Sequence, residues 1–517
     1  MCELHEALTR CDTYPDAPMR VDFIETHISC LYLTDSLVYK IKKPVNFGFC
    51  DFTRLDRRRF YCEEEVRLNR RLTSDSYLGV SKIVRHGDKF AIDQPGEIVE
   101  YAVRMRRLPD QLMLDRLITN PEQNNNLPAL INRVGNLLAS FHRQAPRLYK
   151  GTHDDLRVMQ ANWQQNFEQT GDCPAAVISP AILNNLEQLI ERYLQENAER
   201  FDSRQELGYV RDGHGDLHSE HICMSEPIQI FDCIEFNPGL RTADILNDLA
   251  FLYMDLELHH RTDLANRLWL SYQSGIKIGP HAESLLNFYS LYRAWVRGKV
   301  HHFQAKLSGG QIDHQRQARD YFHLASRYAL PQLLLCCCGL IGSGKSTLAR
   351  DLGTALQAKV ISSDLVRGMG HAPRRENQGY DQGRYRPENR LALYQKIAEQ
   401  VEQETQTGQT LVIDATFENR QMRLPFQELA LHAQIPCYFI ETTCPENLIR
   451  MRLRQRSKDP GSSYGSEAGL QHFEQQRQRF EPLSSKLLTV RVDTGQPREY
   501  NVDFVIENLL QVSGTLS

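Results

Sequence analysis

The 517-residue sequence predicts two folds in series. Residues 1–329 read as an α+β domain with a small β lobe and a helical lobe, and residues 330–517 as a three-layer α/β domain with a parallel sheet. Three observations predict this. The chain is longer than the roughly 250–300 residues at which single cores stop growing. Its first hundred residues alternate in the strand period and then give way to helical spacing. After Pro331, short apolar runs alternate with helical segments, the pattern of a sheet covered on both faces.

In chain order, LYLT, the turn TDS and LVYKIKKPV form a hairpin, and FTRLDRRRFYCEEEVRLNRRL has its apolar residues at helical spacing. Alternation resumes from Gly79 to Arg106 and ends in a last strand, EIVEYAVRMRRL. LPALINRVGNLLASFHRQ and PAILNNLEQLIERYLQENAERF are amphipathic helices. The polar segment GHGDLHSEHICM interrupts the helices, IQIFD is short enough for one strand, and helices resume from Ala243 to about Tyr328. Beyond the boundary at 329–331, LLLCCC, AKVISS, TLVIDAT, PCYFIETT and TVRVDT are strand candidates.

Composition narrows the class. A hydrophobic content of 41% with 24% charged residues describes a water-soluble globular protein. The net charge of −4 provides no global field for nucleic acid or anionic membrane. The N-terminal MCELHEALTRCDTYPDAP has no apolar core of a signal peptide, and the longest apolar run, Leu333 to Ile341, is about half of the roughly 20 residues a membrane helix needs. A cytoplasmic protein is expected. The thirteen cysteines show no pair at zinc or redox spacing. Cys336, Cys337 and Cys338 are consecutive in a strand, so they face alternate sides and cannot converge on one metal.

Gly339, Gly344, Lys345 and Ser346 fit GxxxxGK[ST], with an apolar strand before the motif and a helix after it. The glycines, Gly342 among them, let backbone N–H groups curl around phosphate oxygens, and Thr347 continues into the helix whose N-terminus adds its positive end. Lys345 neutralises β/γ-phosphates and Ser346 offers its hydroxyl to Mg²⁺. Asp414 closes TLVIDAT, where it can hold Mg²⁺ through water. Asp364 ends the second strand, where it either orients an acceptor hydroxyl or caps the next helix.

GLIGSGKSTLA, ISSDLVR, VIDATF and RMRLRQR, over 331–517, resemble the small P-loop kinases related to adenylate, gluconate and polynucleotide 5′-hydroxyl kinases and to zeta-toxin-like kinases. That resemblance implies an arginine-bearing lid helix, for which Arg452 and Arg456 stand at i, i+4. The segment from Arg367 to Pro387 has the composition of an acceptor-binding loop or of an ordinary surface loop.

His214, Asp216 and Asp232, with VYKIKKPV, CEEEVRLNRRL, LASFHR and NDLAF, resemble the aminoglycoside phosphotransferase-like kinases over about 20–328. The resemblance implies a protein-kinase-like fold in which Lys40 binds phosphates and is held by Glu64 or Glu65. It makes Asp216 the residue that takes the acceptor's proton and Asp232 a Mg²⁺ ligand, and it makes His214 and Asp248 structural supports of the loop. Where that family has asparagine, this chain has His221. Imidazole suits softer metals than Mg²⁺, so His221 is a substitute ligand, a ligand for something else, or the mark of a weakened kinase. A zinc site on His214, His218 and His221 would leave Asp216, Asp232 and the lysine strand unexplained.

The whole arrangement resembles bacterial fusions of an aminoglycoside phosphotransferase-like domain with an AAA-type ATP-binding domain. It implies an ATP- and Mg²⁺-dependent phosphotransferase acting on a hydroxyl of an unidentified small molecule. The alternatives are a nucleic-acid 5′-hydroxyl kinase, which the near-neutral charge disfavours, and a nucleotide-gated regulatory ATP-binding protein.

Overall fold

The computed structural model describes all residues except 1, 49, 88, 121–125, 152, 369–386, 459–469 and 514–517, and the side chains of 2, 387, 456–458, 471 and 513 are likewise not described. The chain forms two compact units: Met1–Ala161 with Asn197–Arg293, and Asn162–Glu196 with Ala294–Ser517. None of the described helices is long and apolar enough to cross a membrane.

The first unit contains an antiparallel sheet of β1 (Asp22–Glu25), β2 (Ser29–Leu33), β3 (Leu37–Lys42), β4 (Tyr77–His86), β5 (Lys89–Ile92) and β6 (Glu97–Arg106), in the order β1-β2-β3-β6-β4-β5. The β2–β3 hairpin closes at Thr34, whose Oγ1 accepts from the Leu37 amide at 3.0 Å. Alternation along β3 decides its faces. Tyr39 and Ile41 enter one apolar cluster with Leu8, Tyr32 and Ile83, which leaves Lys40 and Lys42 together on the other face. That face meets the helix Leu55–Asn69, whose buried residues Arg58, Cys62, Glu65, Val66 and Asn69 recur at helical spacing.

Helices follow, among them Leu127–Gln144, Ala198–Glu206, Ile245–Leu258 and Thr262–Gly275. Two short antiparallel ribbons interrupt them. One pairs β7 (Val210–Asp212) with β10 (Thr242–Asp244), and the other pairs β8 (Ile222–Cys223) with β9 (Gln229–Ile230). The ribbons pin the chain on either side of residues 213–221. IQIFD thus supplies only two strand residues, and Asp232 lies beyond them with φ +63°.

The second unit is built on a five-stranded parallel sheet of β11 (Leu334–Cys338), β12 (Lys359–Ser362), β13 (Leu411–Asp414), β14 (Cys437–Thr443) and β15 (Leu488–Asp493), ordered β12-β13-β11-β14-β15. One face, with Leu334, Cys336, Cys338, Ile413 and Phe439, packs on the helices Pro387–Thr405 and Arg420–Ala433 through residues such as Ile397 and Phe426. The helices Lys345–Ala355 and Arg498–Ser513 complete the layers. Cys337 is fully buried but absent from the Cys336–Cys338 cluster, as strand alternation requires. Asp503, near the chain's end, accepts from the Ser179 amide at 3.0 Å and lies 2.8 Å from both Arg319 and His323.

In the first unit the buried Arg204 guanidinium grips Asp244 through two nitrogens at 2.5 and 2.9 Å, while Asp244 Oδ1 accepts from the Leu246 amide and caps the helix Ile245–Leu258. Breaking a buried pair from one side costs about 3–5 kcal/mol because the other charge is stranded. Arg204→Met should destabilise the first unit by about that amount, read as a lower denaturant midpoint for its unfolding transition.

Candidate active sites

Two separate clusters assemble, one in each unit. In the second unit, the motif after β11 turns through three glycines with positive φ: Gly339 at +135°, Gly342 at +78° and Gly344 at +94°. A Cβ at Gly344 would also lie 3.0 Å from Thr494 Oγ1. Lys345 begins the helix and lies back over the loop, its Nζ donating to the Leu340 carbonyl at 2.8 Å. A cavity of about 120 Å³ is lined by Gly342, Gly344, Lys345 and Ser346 on one side and by Asp364 and Asp414 on another. Gly339 and Thr347 flank this cavity without lining it.

Register brings the acids there. Cys337 and Ser362 both stand beside Asp414, at the C-terminal ends of three adjacent parallel strands, where open α/β sheets bind ligands. Ser346 and Asp414 line the cavity together, Ser362 Oγ donates to the Asp414 carboxyl at 3.4 Å, and burial pushes that carboxyl above its ordinary range. A hydroxyl and a buried carboxylate side by side are hard oxygen donors of the kind Mg²⁺ takes. Ser362 caps the helix Ser363–Val366 by accepting from the Asp364 amide, so the cap is Ser362 and not Asp364. The Asp364 side chain is freed from that duty and accepts from Arg367 Nη1 at 3.1 Å at the cavity's edge.

The arginines differ from the sequence expectation. Arg452 lies against the outside of the glycine loop, donating to the Thr494 carbonyl at 2.8 Å, and does not line the cavity. Arg456 is on the same helix, Glu446–Lys458, with its side chain outside the described residues, as are residues 369–386 of the segment from Arg367 to Pro387. The lining arginines are Arg367 and Arg390, joined by Tyr394, Glu418, His472 and Gln476. Arg367 closes the ISSDLVR motif, a signal present in the sequence. Arg390 has no such mark.

In the first unit, Lys40 Nζ bridges Glu65 at 2.9 Å and Asp232 at 2.5 Å. Glu64 points outward to Arg67. Lys42, two residues on and fully buried, shares the other Glu65 oxygen at 2.7 Å and also pairs with Glu235, a residue sequence reasoning missed. Burial works against both ammoniums, but the carboxylates hold Lys40 and Lys42 above the ordinary lysine range. Asp232 is held below the carboxylate range, its burial outweighed by Lys40 and His221.

Asp248 ties down residues 213–216. Its two oxygens accept from the His214 amide at 2.7 Å and the Gly215 amide at 2.8 Å, and one also meets His142 Nε2 at 3.0 Å. Gly215 has φ +88°, and a Cβ there would lie 2.9 Å from that of Arg241. His214 supports the loop through its ring: Nε2 donates to the Phe231 carbonyl and Nδ1 accepts from the Asp216 amide, while burial pushes its pKa down to about 4. With both nitrogens engaged, the three-histidine zinc set does not form around His214. Asp216 remains about one-third exposed, with His221 between it and Asp232: His221 Nδ1 is 3.6 Å from Asp216 Oδ2 and Nε2 is 3.5 Å from Asp232 Oδ2.

Residues 334–483 match the family model described as an AAA domain. The uncharacterized proteins Rv2004c of Mycobacterium tuberculosis and Mb2027c of Mycobacterium bovis are each 31% identical to this chain over 467 residues, spanning 88% of it and 89% of the relative. Among solved structures, a choline/ethanolamine kinase family protein from Mesorhizobium loti is 13% identical, with a TM-score of 0.38, covering 63% of this chain and 94% of its own. A gluconokinase from Sinorhizobium meliloti is 18% identical, with a TM-score of 0.27, covering 36% of this chain and 94% of its own.

Asp248→Ala would leave two buried amides without an acceptor, at about 1–3 kcal/mol each. Faster amide hydrogen exchange at residues 213–216, with exchange in the parallel sheet unchanged, is the expected result. Gly344→Ala should abolish nucleotide binding to the second unit, as measured by calorimetry, because both the backbone turn and the space beside Thr494 exclude a methyl group.

Proposed function

The chain belongs to the same family as these mycobacterial proteins, and from that premise we propose that it is an ATP-dependent phosphotransferase acting on a hydroxyl of a small molecule. The transfer is assigned to residues 330–517, and residues 1–329 are assigned a second ATP-binding fold. One observation carries the reading: a glycine loop, Lys345, Ser346, Asp414 and Asp364 line one cavity at the C-terminal edge of a parallel sheet.

The chemistry follows from where charge develops. The loop's backbone N–H groups and the N-terminus of the helix Lys345–Ala355 receive phosphate oxygens. Lys345 leaves its carbonyl partner for the β/γ-phosphates, a stronger, charge-assisted acceptor. Ser346 and Asp414 would hold Mg²⁺, which when bound neutralises charge between the phosphates. Asp364 accepts the proton of the attacking hydroxyl, and Arg367 beside it fixes the carboxylate's orientation. Arg367 and Arg390 line the same cavity, each paired there with a carboxylate, Asp364 and Glu418 respectively.

In the first unit, Lys40 held by Glu65 is the phosphate ligand and Asp232 the cation ligand. Asp216, open to solvent beside them, is the group placed to take an acceptor's proton.

Lys345→Ala should lower transfer from γ-labelled ATP by at least about 100-fold. Asp364→Asn should lower kcat by about 10²–10⁴ while KM for ATP stays within a factor of two or three, because that residue meets the acceptor and not the nucleotide. A panel of phosphorylated and unphosphorylated alcohols supplies the acceptors. Full activity in the Lys345→Ala protein would remove the assignment to the second unit.

A further inference from the structure

One peptide of the glycine loop, that between Leu340 and Ile341, is held from both sides. Lys345 Nζ donates to its carbonyl at 2.8 Å, and its N–H donates to Gln476 Oε1 at 2.7 Å. Gln476 stands on the helix Leu470–Arg479, is 5% exposed and lines the same cavity as Lys345, Ser346 and Asp364. A backbone N–H can only donate, so the atom facing Ile341 is the oxygen of the Gln476 amide, and the nitrogen is its other arm. Among the described residues Gln476 Nε2 meets no acceptor. A buried side chain at the cavity wall thus carries a donor group with nothing to donate to.

We propose that Gln476 is a ligand of the bound nucleotide's terminal phosphate, its Nε2 donating to one of the outer oxygens. This rests on the nucleotide site proposed above, and its consequence for transfer rests on the phosphotransfer reading. The phosphates that draw Lys345 Nζ off the Leu340 carbonyl arrive beside the peptide whose other side Gln476 holds. In transfer the acceptor oxygen bonds to the terminal phosphorus, the bond from that phosphorus to the bridging oxygen of ADP breaks, and the hydroxyl proton passes to Asp364. Negative charge meanwhile spreads over the outer phosphoryl oxygens. With Oε1 tied to the loop, the planar Gln476 amide has its donor set in place before that charge develops.

The helix that carries Gln476 is fixed to the loop it serves. Phe473, 1% exposed, clusters with Ile449 and Leu453, and the loop residues Leu340 and Ile341 pack against that cluster. Arg477 pairs at 2.8 Å with Glu446 of the helix Glu446–Lys458, which carries Ile449 and Leu453. The Gln476 carbonyl accepts from the Phe480 amide at 2.9 Å, so its backbone is held as well. When Lys345 leaves for the phosphates, the Leu340–Ile341 peptide keeps its anchor at Gln476, and the free arm of that amide stays where it was. Gln476→Glu separates the two duties, because a carboxylate still accepts from Ile341 but puts a second oxygen where the donor stood.

The test is calorimetric titration of the full chain with ADP and with the nonhydrolysable β,γ-imido analogue of ATP, both in Mg²⁺, the Gly344→Ala chain serving as the blank for the first unit. Gln476→Glu should weaken binding of the analogue at least about tenfold and that of ADP by less than about threefold, since ADP lacks the phosphate in question. It should also lower single-turnover transfer from γ-labelled ATP by at least about 100-fold, the cost of removing one such donor. Gln476→Met, apolar and of similar length, is read in the same way and decides the matter if the glutamate variant fails to fold. Equal losses for the two nucleotides would mean that Gln476 only anchors the loop, and unchanged affinity for the analogue would mean that its nitrogen binds no phosphate; either result overturns the proposal. A wild-type chain that binds both nucleotides yet transfers phosphate to no acceptor would sink the kinase reading, while the ratio of the two affinities would still decide the role of Gln476.

Discussion

A single buried carboxylate, that of Asp248, holds residues 213–216 of the first unit in their conformation. It lies on the helix Ile245–Leu258 and accepts from two consecutive backbone amides, so it fixes the peptide groups of the loop as well as a side chain. His142 joins it from the helix Leu127–Gln144, and Tyr272 holds the other nitrogen of that histidine at 2.7 Å. Arg293 donates to the Gly215 carbonyl from a further helix, and Arg71 donates to the Asp212 and Gly213 carbonyls from the end of the lysine-facing helix. The loop's donors and acceptors are thereby claimed from several elements at once, which leaves Asp216, 35% exposed, projecting from a rigid base.

In the proposed reading, the two sites receive phosphate oxygens in opposite ways. The second unit uses backbone: three glycines with positive φ and a helix N-terminus aim N–H groups whose direction depends on the turn and not on any side chain. The first unit uses side-chain charge, with Lys40 and Lys42 on one strand face set against Glu65, Glu235 and Asp232. A desolvated network of that kind is costly to assemble and sensitive to the loss of any member. It is also pre-set, since Lys40 already spans the helix glutamate and the acid beyond β9.

Much of this was legible in the sequence, and the unread parts share a cause. Strand segments in both units followed from alternation and apolar runs, and the glycine motif carries its own backbone requirement. Glu64 and Glu65 could not be told apart because neighbouring helical residues differ only by a rotation of about 100° that packing alone fixes. The same limit hid Lys42: its spacing puts it on the Lys40 face, but nothing local states that Glu65 has a second oxygen turned toward it. Helical spacing puts Arg452 on the helix Glu446–Lys458, yet it cannot say which side of the glycine loop a guanidinium meets. The joining of Ser179, Arg319 and His323 to Asp503 spans 180 to 324 residues and leaves no trace in any short window.

The three consecutive cysteines of β11 have a practical use. Their thiols are fully buried in the central strand, and burial holds all three above the ordinary thiol range, so they are protonated and out of reach of alkylating reagents. Modification there requires the sheet to open. The rate of alkylation at these positions, followed by mass spectrometry, therefore reports how often the core beneath the glycine loop comes apart, and a bound nucleotide that slows it does so by its own binding energy.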